Sequence, residues 1–403
     1  MSRFPARTAL VAAGALGLLL SACGSSSSKA ASTTVAGVTS STPSTVATAS
    51  TASVTTAAAA ATTTAASGVT ADGISADRCA ANKKAGKITY LSGFDFAATA
   101  SIVEIVIAKD KGYFDKMCLD VDVKASFSTA NYALIAANTA QFGSGGSYAE
   151  VLSFAKDGAK FVTVAIDGKI GIDALLVRAE GTVKTPADLK GKTIGVKGAL
   201  PPAEVALLNK YGLKQGKDYN EVSLDGFDPK QHWAQPIDAL PVYKSNEPGQ
   251  LDAAGIKYTM FDPAKEGIPG NFGLLYTSAK FHDEHPTAVQ DFVRAAMKGL
   301  ADAIADPAAA VKLSFAKITE GGNKNFLAEA GESYRWGVES KIVADNTPAG
   351  EGIGLVKAAD LTKIVDAYTT AGVFATKPAI DGTYDEAMVK GIYDASGKVI
   401  WPK

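Results

Sequence analysis

The chain has 403 residues and carries 40 Lys and Arg against 41 Asp and Glu, a formal charge of −1. A near-neutral chain without blocks of Lys and Arg argues against a nucleic-acid partner, which would need a basic footprint on the phosphates. After the first 22 residues no apolar stretch is long and uninterrupted enough to span a membrane, and the remainder suffices for two compact lobes with sizeable cores.

At the N-terminus an apolar run, Ala9 to Leu20, follows a short basic segment with Arg3 and Arg7. That order reads as a secretory signal peptide over residues 1–22, too short to cross a bilayer. The segment Leu20-Ser21-Ala22-Cys23 resembles a bacterial lipoprotein signal. The resemblance implies that the Cys23 thiol takes a lipid, palmitate included, and that Cys23 becomes the first mature residue. The alternative is an ordinary signal with an incidental cysteine. Either way the expected location is extracytoplasmic, with lipidation adding an anchor to the outer face of the membrane. Residues 23–76 are expected to form a linker rich in Ser, Thr and Ala. From Gly24 to about Thr70 they offer too little apolar surface to offset the entropy of ordering.

From Lys87 onward short β-type runs alternate with helical patterns. Ile88–Leu91 reads as a strand, Thr99–Lys111 as a helix stopped by Gly112, and Leu119–Val123 as a second strand. Asn131–Ala137 is helical, Ala140–Gly143 short and extended, Tyr148–Ala155 helical, and Phe161–Ile166 a buried strand. Ile172–Val177 is extended. The alternation then restarts with a strand at Thr193–Val196, a helix at Pro201–Tyr211 and a strand at Glu221–Leu224. Ile237–Val242, Ile256–Met260 and Phe272–Thr277 are three more extended runs, and a long helix follows His285-Pro286. The rest is mostly helical, with Trp336, Phe374 and Trp401 as packing residues. The pattern predicts an α/β protein of two parallel-sheet lobes with two crossings between them. Lobe 1 is expected to take residues 77–177 and 272–403, and lobe 2 residues 178–271.

Two cysteines remain beyond Cys23. Cys79 precedes the first strand and Cys118 begins the second, so neighbouring parallel strands would bring them together as a disulfide outside the cell. A catalytic thiol is the rival, and no histidine lies near either cysteine in sequence.

Several segments together resemble the extracytoplasmic solute-binding proteins of ABC importers for nitrate, sulfonates and thiamine-pyrimidine precursors. Ile107-Ala108-Lys109-Asp110-Lys111-Gly112-Tyr113-Phe114 followed by Leu119-Asp120-Val121 is similar to the family's first helix and second strand. The run Thr185 to Val196 is similar to the opening of its second lobe, and Phe281 to Phe292 to its helix after the return crossing. Tyr243-Lys244-Ser245-Asn246-Glu247-Pro248 resembles the pyrimidine-precursor branch. The resemblance implies a periplasmic-binding-protein type II fold that acts as a monomer. Such a protein is not an enzyme, needs neither cofactor nor metal, and hands a small-molecule ligand to a membrane permease. The loop Ser92-Gly93-Phe94-Asp95-Phe96 departs from the Trp-containing loop of pyrimidine binders.

Loops at the carboxyl ends of parallel strands form the crevice of an open α/β sheet. That rule selects Phe94, Asp95 and Phe96, then Ser144, Gly145, Ser147 and Tyr148, then Lys197, and last Tyr243, Asn246 and Glu247. A flat nitrogen heterocycle would stack on Phe94, Phe96, Tyr148, Trp233 or Tyr243, with Asp95 and Glu247 accepting from its N–H groups and Asn246 doing either. A nitrate, alkylsulfonate or taurine-type ligand would instead want donors and a cation. Structural roles compete: Glu247 as a helix cap, Asp95 as turn chemistry, the aromatics as core, and the glycines of 143–146 as a tight turn.

A secreted enzyme has weak support. Gly145-Gly146-Ser147-Tyr148-Ala149 misses the last glycine of a nucleophile elbow, and His232, His282 and His285 supply no evident triad partner. A non-transport sensor lipoprotein is the other alternative.

Overall fold

The structure, a computed structural model, describes residues 68–155, 158–322 and 327–402. The signal segment, Cys23 and the linker as far as residue 67 lie outside the described residues. The last part of the expected linker is ordered: β1 (Val69–Thr70) pairs antiparallel with β2 (Gly73–Ile74), and Ser75 caps the helix Ala76–Lys83. Arg78 of that helix donates from Nε to Asp291 at 2.7 Å. The folded part therefore begins at least eight residues earlier than composition suggests, because a buried ion pair ties this end to the long helix Pro286–Ala305.

The remaining strands are β3 (Lys87–Leu91), β4 (Asp120–Lys124), β5 (Phe142–Gly145), β6 (Phe161–Gly168), β7 (Asp173–Arg178), β8 (Thr193–Val196), β9 (Asn220–Ser223), β10 (Ala239–Tyr243), β11 (Tyr258–Phe261) and β12 (Phe272–Ser278). They build two five-stranded sheets, ordered β4-β3-β5-β12-β6 and β11-β7-β10-β8-β9. Within them β3 runs parallel to β4 and β5, and β8 parallel to β9 and β10. Contrary to an all-parallel expectation, β12 is antiparallel to β5 and β6, and β7 to β10 and β11. Each of these is the strand on which the chain arrives from the other lobe, and it enters the sheet from the opposite end.

One boundary shifts accordingly. The run Ile172–Val177 is expected in lobe 1, yet β7 sits in the second sheet, so the outward crossing comes before residue 173. The two crossings touch backbone to backbone at Gly171 and Gly270. A Cβ on Gly270 would lie 3.1 Å from the Gly171 Cα, so the close approach demands glycine.

In the first lobe Phe142 of β5 stacks on Phe292 of the long helix, centroids 3.8 Å apart. The free edge of β6 is covered by the C-terminal segment, where Thr163 and Ile166 donate to the Thr383 and Gly354 carbonyls. Trp336 is fully buried, its Nε1 donating to the Ala303 carbonyl at 3.0 Å, and Trp401 packs half-buried against Tyr113. Cys79 and Cys118 are bonded, with Cα atoms 5.3 Å apart, pinning the helix Ala76–Lys83 to the start of β4. In the second lobe Leu175, Val177 and Ile194 face one side with Leu207 and Leu208. Ala174, Leu176, Leu240 and Val242 face the other.

Candidate functional site

Three of the sequence-selected residues meet in one cavity of about 100 Å³, which Lys197, Tyr243 and Glu247 line with Pro201 and Pro241. Lys197 follows β8, Tyr243 ends β10, and Glu247 opens the helix Glu247–Ala253, with Pro248 fixing its first turn. Glu247 is 1% exposed. It forms an ion pair with Lys197, and its Oε2 accepts the Tyr243 backbone N–H at 2.9 Å. Burial alone would push the Glu247 carboxyl up, but the Lys197 ammonium and these donors outweigh it and hold the carboxyl below its usual range. The side chain is thus an ionised acceptor at a strand end, and Asn246 stands at the cap position instead.

Tyr243 keeps its ring open to the cleft, 41% exposed, although surrounded by buried groups. Its hydroxyl reaches toward the first lobe, 3.7 Å from where a Cβ on Gly146 would lie. Asp173 stands opposite Tyr243 in the β7–β10 register and so shares its face. Burial pushes the Asp173 carboxyl up to about 7, and Glu150 adds to this while Lys244 opposes it. Glu204, in the first turn of the helix Pro202–Lys210, is wholly buried; among the described residues neither of its carboxyl oxygens meets a donor. Burial raises it well above the usual carboxylate range, and Asp173 and Glu247 push the same way against Lys197. Glu150 accepts from the Tyr132 hydroxyl at 3.0 Å and is also raised by burial.

Asp173, Glu204 and Glu150 escape a sequence reading. Asp173 leaves a trace as the one charge in Ile-Asp-Ala-Leu-Leu-Val. Glu204 leaves none, since an acid in a first helical turn is ordinary dipole chemistry.

A second group forms around the first loop. The Phe94 ring meets Phe127 and, from the second lobe, Phe227, at 5.9 and 5.6 Å between centroids. The Arg335 guanidinium lies 5.8 Å from the Phe94 centroid, and Arg335 Nη2 donates to the Asn246 Oδ1 at 2.6 Å. Asp95 is buried at φ +50°, its Oδ1 accepting the Phe96 N–H at 2.7 Å, while Phe96 packs beside Ile318 and Leu327. Glu339 accepts from the Thr99 hydroxyl and the Ala100 N–H on one oxygen and from Ser245 on the other, so it touches both lobes.

Other expected ligand groups are structural. Tyr148 is a core residue: its ring is fully buried, its hydroxyl pairs with Thr383, and its N–H donates to Asn271 at 2.9 Å. Trp233 packs inside the second lobe against Ile237 and Leu240, with Arg178 over its ring at 5.2 Å. Ser147 caps the helix Tyr148–Phe154, accepting from Glu150 N at 3.2 Å. The Ser144 hydroxyl is bonded to that of Ser101 at 2.6 Å, and Gly145 lies within β5 against Tyr132 and Val151. Among the described residues no group of three or more His, Cys, Asp or Glu is placed to hold a metal ion.

The riboflavin-binding protein RibY of Chloroflexus aurantiacus is 32% identical over 142 residues, 33% of this chain and 38% of that protein. The chain spans from about a third to about half the length of the curated relatives it matches. Among solved structures, the alkanesulfonate-binding protein SsuA from Xanthomonas axonopodis pv. citri superposes with a TM-score of 0.55 at 15% identity, covering 74% of this chain and 98% of that one. The desulfurization enzyme DSZB gives 0.50 at 14%, covering 75% and 97%. Such identities establish the periplasmic-binding-protein fold alone, and that fold carries a binding protein in one neighbour and an enzyme in the other. The family model described as NMT1/THI5 like matches residues 99–310, which include the first-loop groups from Thr99, both crossings and the whole second sheet. With more than half its length matched, the chain belongs to the NMT1/THI5-like family.

Proposed function

We propose that the chain is the solute-binding component of an ABC importer, tethered outside the membrane through lipidated Cys23. Its ligand is a small nitrogen heterocycle such as a thiamine pyrimidine precursor. The observation that carries this reading is the polarity of the cleft: the open Tyr243 ring stands among carboxyls, and Glu247 already engages Lys197. An aromatic face beside acceptors suits a flat ring edged with N–H groups. An oxyanion would have to displace Glu247 from Lys197 and then sit among further carboxyls. The relative described as riboflavin-binding supports the same ligand class, since riboflavin contains a fused nitrogen heterocycle.

Binding makes and breaks no bond. The lobes close on the solute, and the closed shape is what a permease subunit recognises. The test is thermal denaturation against aminopyrimidines, riboflavin, purines, sulfonates and nitrate. A ligand at a hundred times its Kd adds about 2.7 kcal/mol of stability. A shift with heterocycles that Glu247→Gln abolishes supports the assignment; a shift with sulfonates or nitrate alone refutes it.

A further inference from the structure

Five carboxyls and two ammonium groups act on one another at the inner end of the cleft. Lys197 is engaged by Glu247, and Lys244 by Asp262 at 3.0 Å. Glu150, Asp173 and Glu204 are left without a counter-cation among the described residues. Glu150 accepts from Tyr132, whereas among the described residues both Glu204 oxygens are buried without a donor beyond the pull of the residue's own backbone N–H. Burying a carboxyl without a partner is costly, and three elements converge to create this one. They are the helix Pro202–Lys210, the start of β7 at Asp173, and the end of β10 at Tyr243. Two tyrosines also feel these carboxyls, Tyr243 from β10 and Tyr368 from the helix Ala358–Thr370.

We infer that Glu204 and Asp173 form a subsite for a cationic nitrogen group of the ligand, of the amidinium, protonated aminoheterocycle or azolium kind. The inference rests on the heterocycle reading and narrows it. Glu204 supplies the acceptors and Asp173 the second carboxylate on the Tyr243 face, so a cation entering there stands beside an aromatic ring. Burial favours the neutral form of both acids. Binding then exchanges protons for the ligand's charge: each carboxyl that ionises releases its proton to the buffer. Affinity for a permanent cation accordingly rises with pH, because less work is needed to remove those protons.

The experiment is calorimetric titration of the full-length chain with thiamine, whose thiazolium is a permanent cation. 2,4-Diaminopyrimidine, uracil and riboflavin are titrated alongside, in two buffers of different ionisation enthalpy. Thiamine and diaminopyrimidine are expected to bind at least about tenfold more tightly than uracil, with protons released and affinity rising between about pH 5 and pH 8. Glu204→Gln should cancel the preference and most of the proton release without lowering the thermal midpoint. Asp173→Asn should reduce both. If uracil or riboflavin binds as well as the cations, without proton release and unaffected by either variant, the inference fails and the heterocycle reading stands. If the chain binds only sulfonates or nitrate, or none of the heterocycles, both fall together.

Discussion

The Lys197–Glu247 pair makes an asymmetric prediction. Glu247 is 1% exposed and Lys197 26%. Removing Lys197 strands a charge that cannot reach water, whereas removing Glu247 leaves an ammonium that can turn outward. Losing one partner of a fully buried pair costs about 3–5 kcal/mol; with one partner partly wet, Lys197→Met should cost about 2–3. Glu247→Gln keeps the shape and an acceptor for the Tyr243 N–H, so about 1 kcal/mol is expected.

The pH dependences of the native chain and of Lys197→Met should differ in sign, and that of Glu247→Gln should be flat through this group. In the native chain Glu247 is depressed, so its contribution is present above the unfolded value of about 4.3 and is lost as pH falls through the folded one. Without Lys197, burial dominates and the carboxyl rises. The variant's native state then holds a proton that the unfolded state releases, and stability falls as pH increases from about 4. The assay is chemical denaturation of both single variants and the double variant across that range. The double variant, with no buried charge to strand, should be more stable than Lys197→Met alone. Equal costs for the single variants, with superimposable pH profiles, would refute the reasoning.

Replacing Cys79 and Cys118 by Ser, which stand 39 positions apart, should cost up to about 4 kcal/mol in the chain-entropy picture; chemical denaturation with no change beyond error would contradict it. Trp233→Phe should lower stability and leave ligand affinity alone, because the indole packs inside the second lobe. Tyr243→Leu should do the reverse, weakening a flat ligand several-fold in a titration for the loss of about 1 kcal/mol of aromatic contact. With Asp173 pushed up to about 7, the native state holds a proton that the unfolded chain loses near pH 4, so stability falls between those values. Asp173→Asn should flatten that fall in thermal midpoints measured at its two ends.

Strands were legible where the signal is local. Ile88 and Tyr90 turn inward in alternation, and Phe161–Gly168 is apolar enough to be buried along its whole length. Which sheet a strand joins is not local: Ile172–Val177 reads the same in either lobe, and only pairing with Ala239–Tyr243 and Tyr258–Phe261 decides it. The candidate site divides in the same way. The segment Tyr243 to Pro248 carries its polar and aromatic groups in consecutive residues, so its place at a strand end is legible locally. Tyr148 has the position of a ligand platform, directly after a strand, but its hydroxyl partner, Thr383, lies 235 residues away and makes it core. Glu204 carries no signal in the sequence, because its charged neighbours Asp173 and Glu247 lie 31 and 43 positions away in the chain.

The helix Glu329–Asp345 shows how far the cleft depends on segments with no motif at all. Glu332, Arg335 and Glu339 follow one another at three and then four residues, which puts all three on one helical face. From that face Glu332 accepts the Ala98 N–H at 2.6 Å and Glu339 the Ala100 N–H at 2.8 Å, both in the first lobe. Arg335 reaches Asn246 and Glu339 reaches Ser245, both in the second. One helical face of about 10 Å thus holds the first-lobe loop at both ends and the residues just before Glu247 between them. The periodicity was present in the chain as Glu-x-x-Arg-x-x-x-Glu, but a charged helical face ordinarily reads as solvated. What turned it inward is the demand of the Ala98–Ala100 backbone for acceptors in a loop that strand pairing cannot serve. The residues just before Glu247 are therefore held by a helix whose own sequence speaks only of surface.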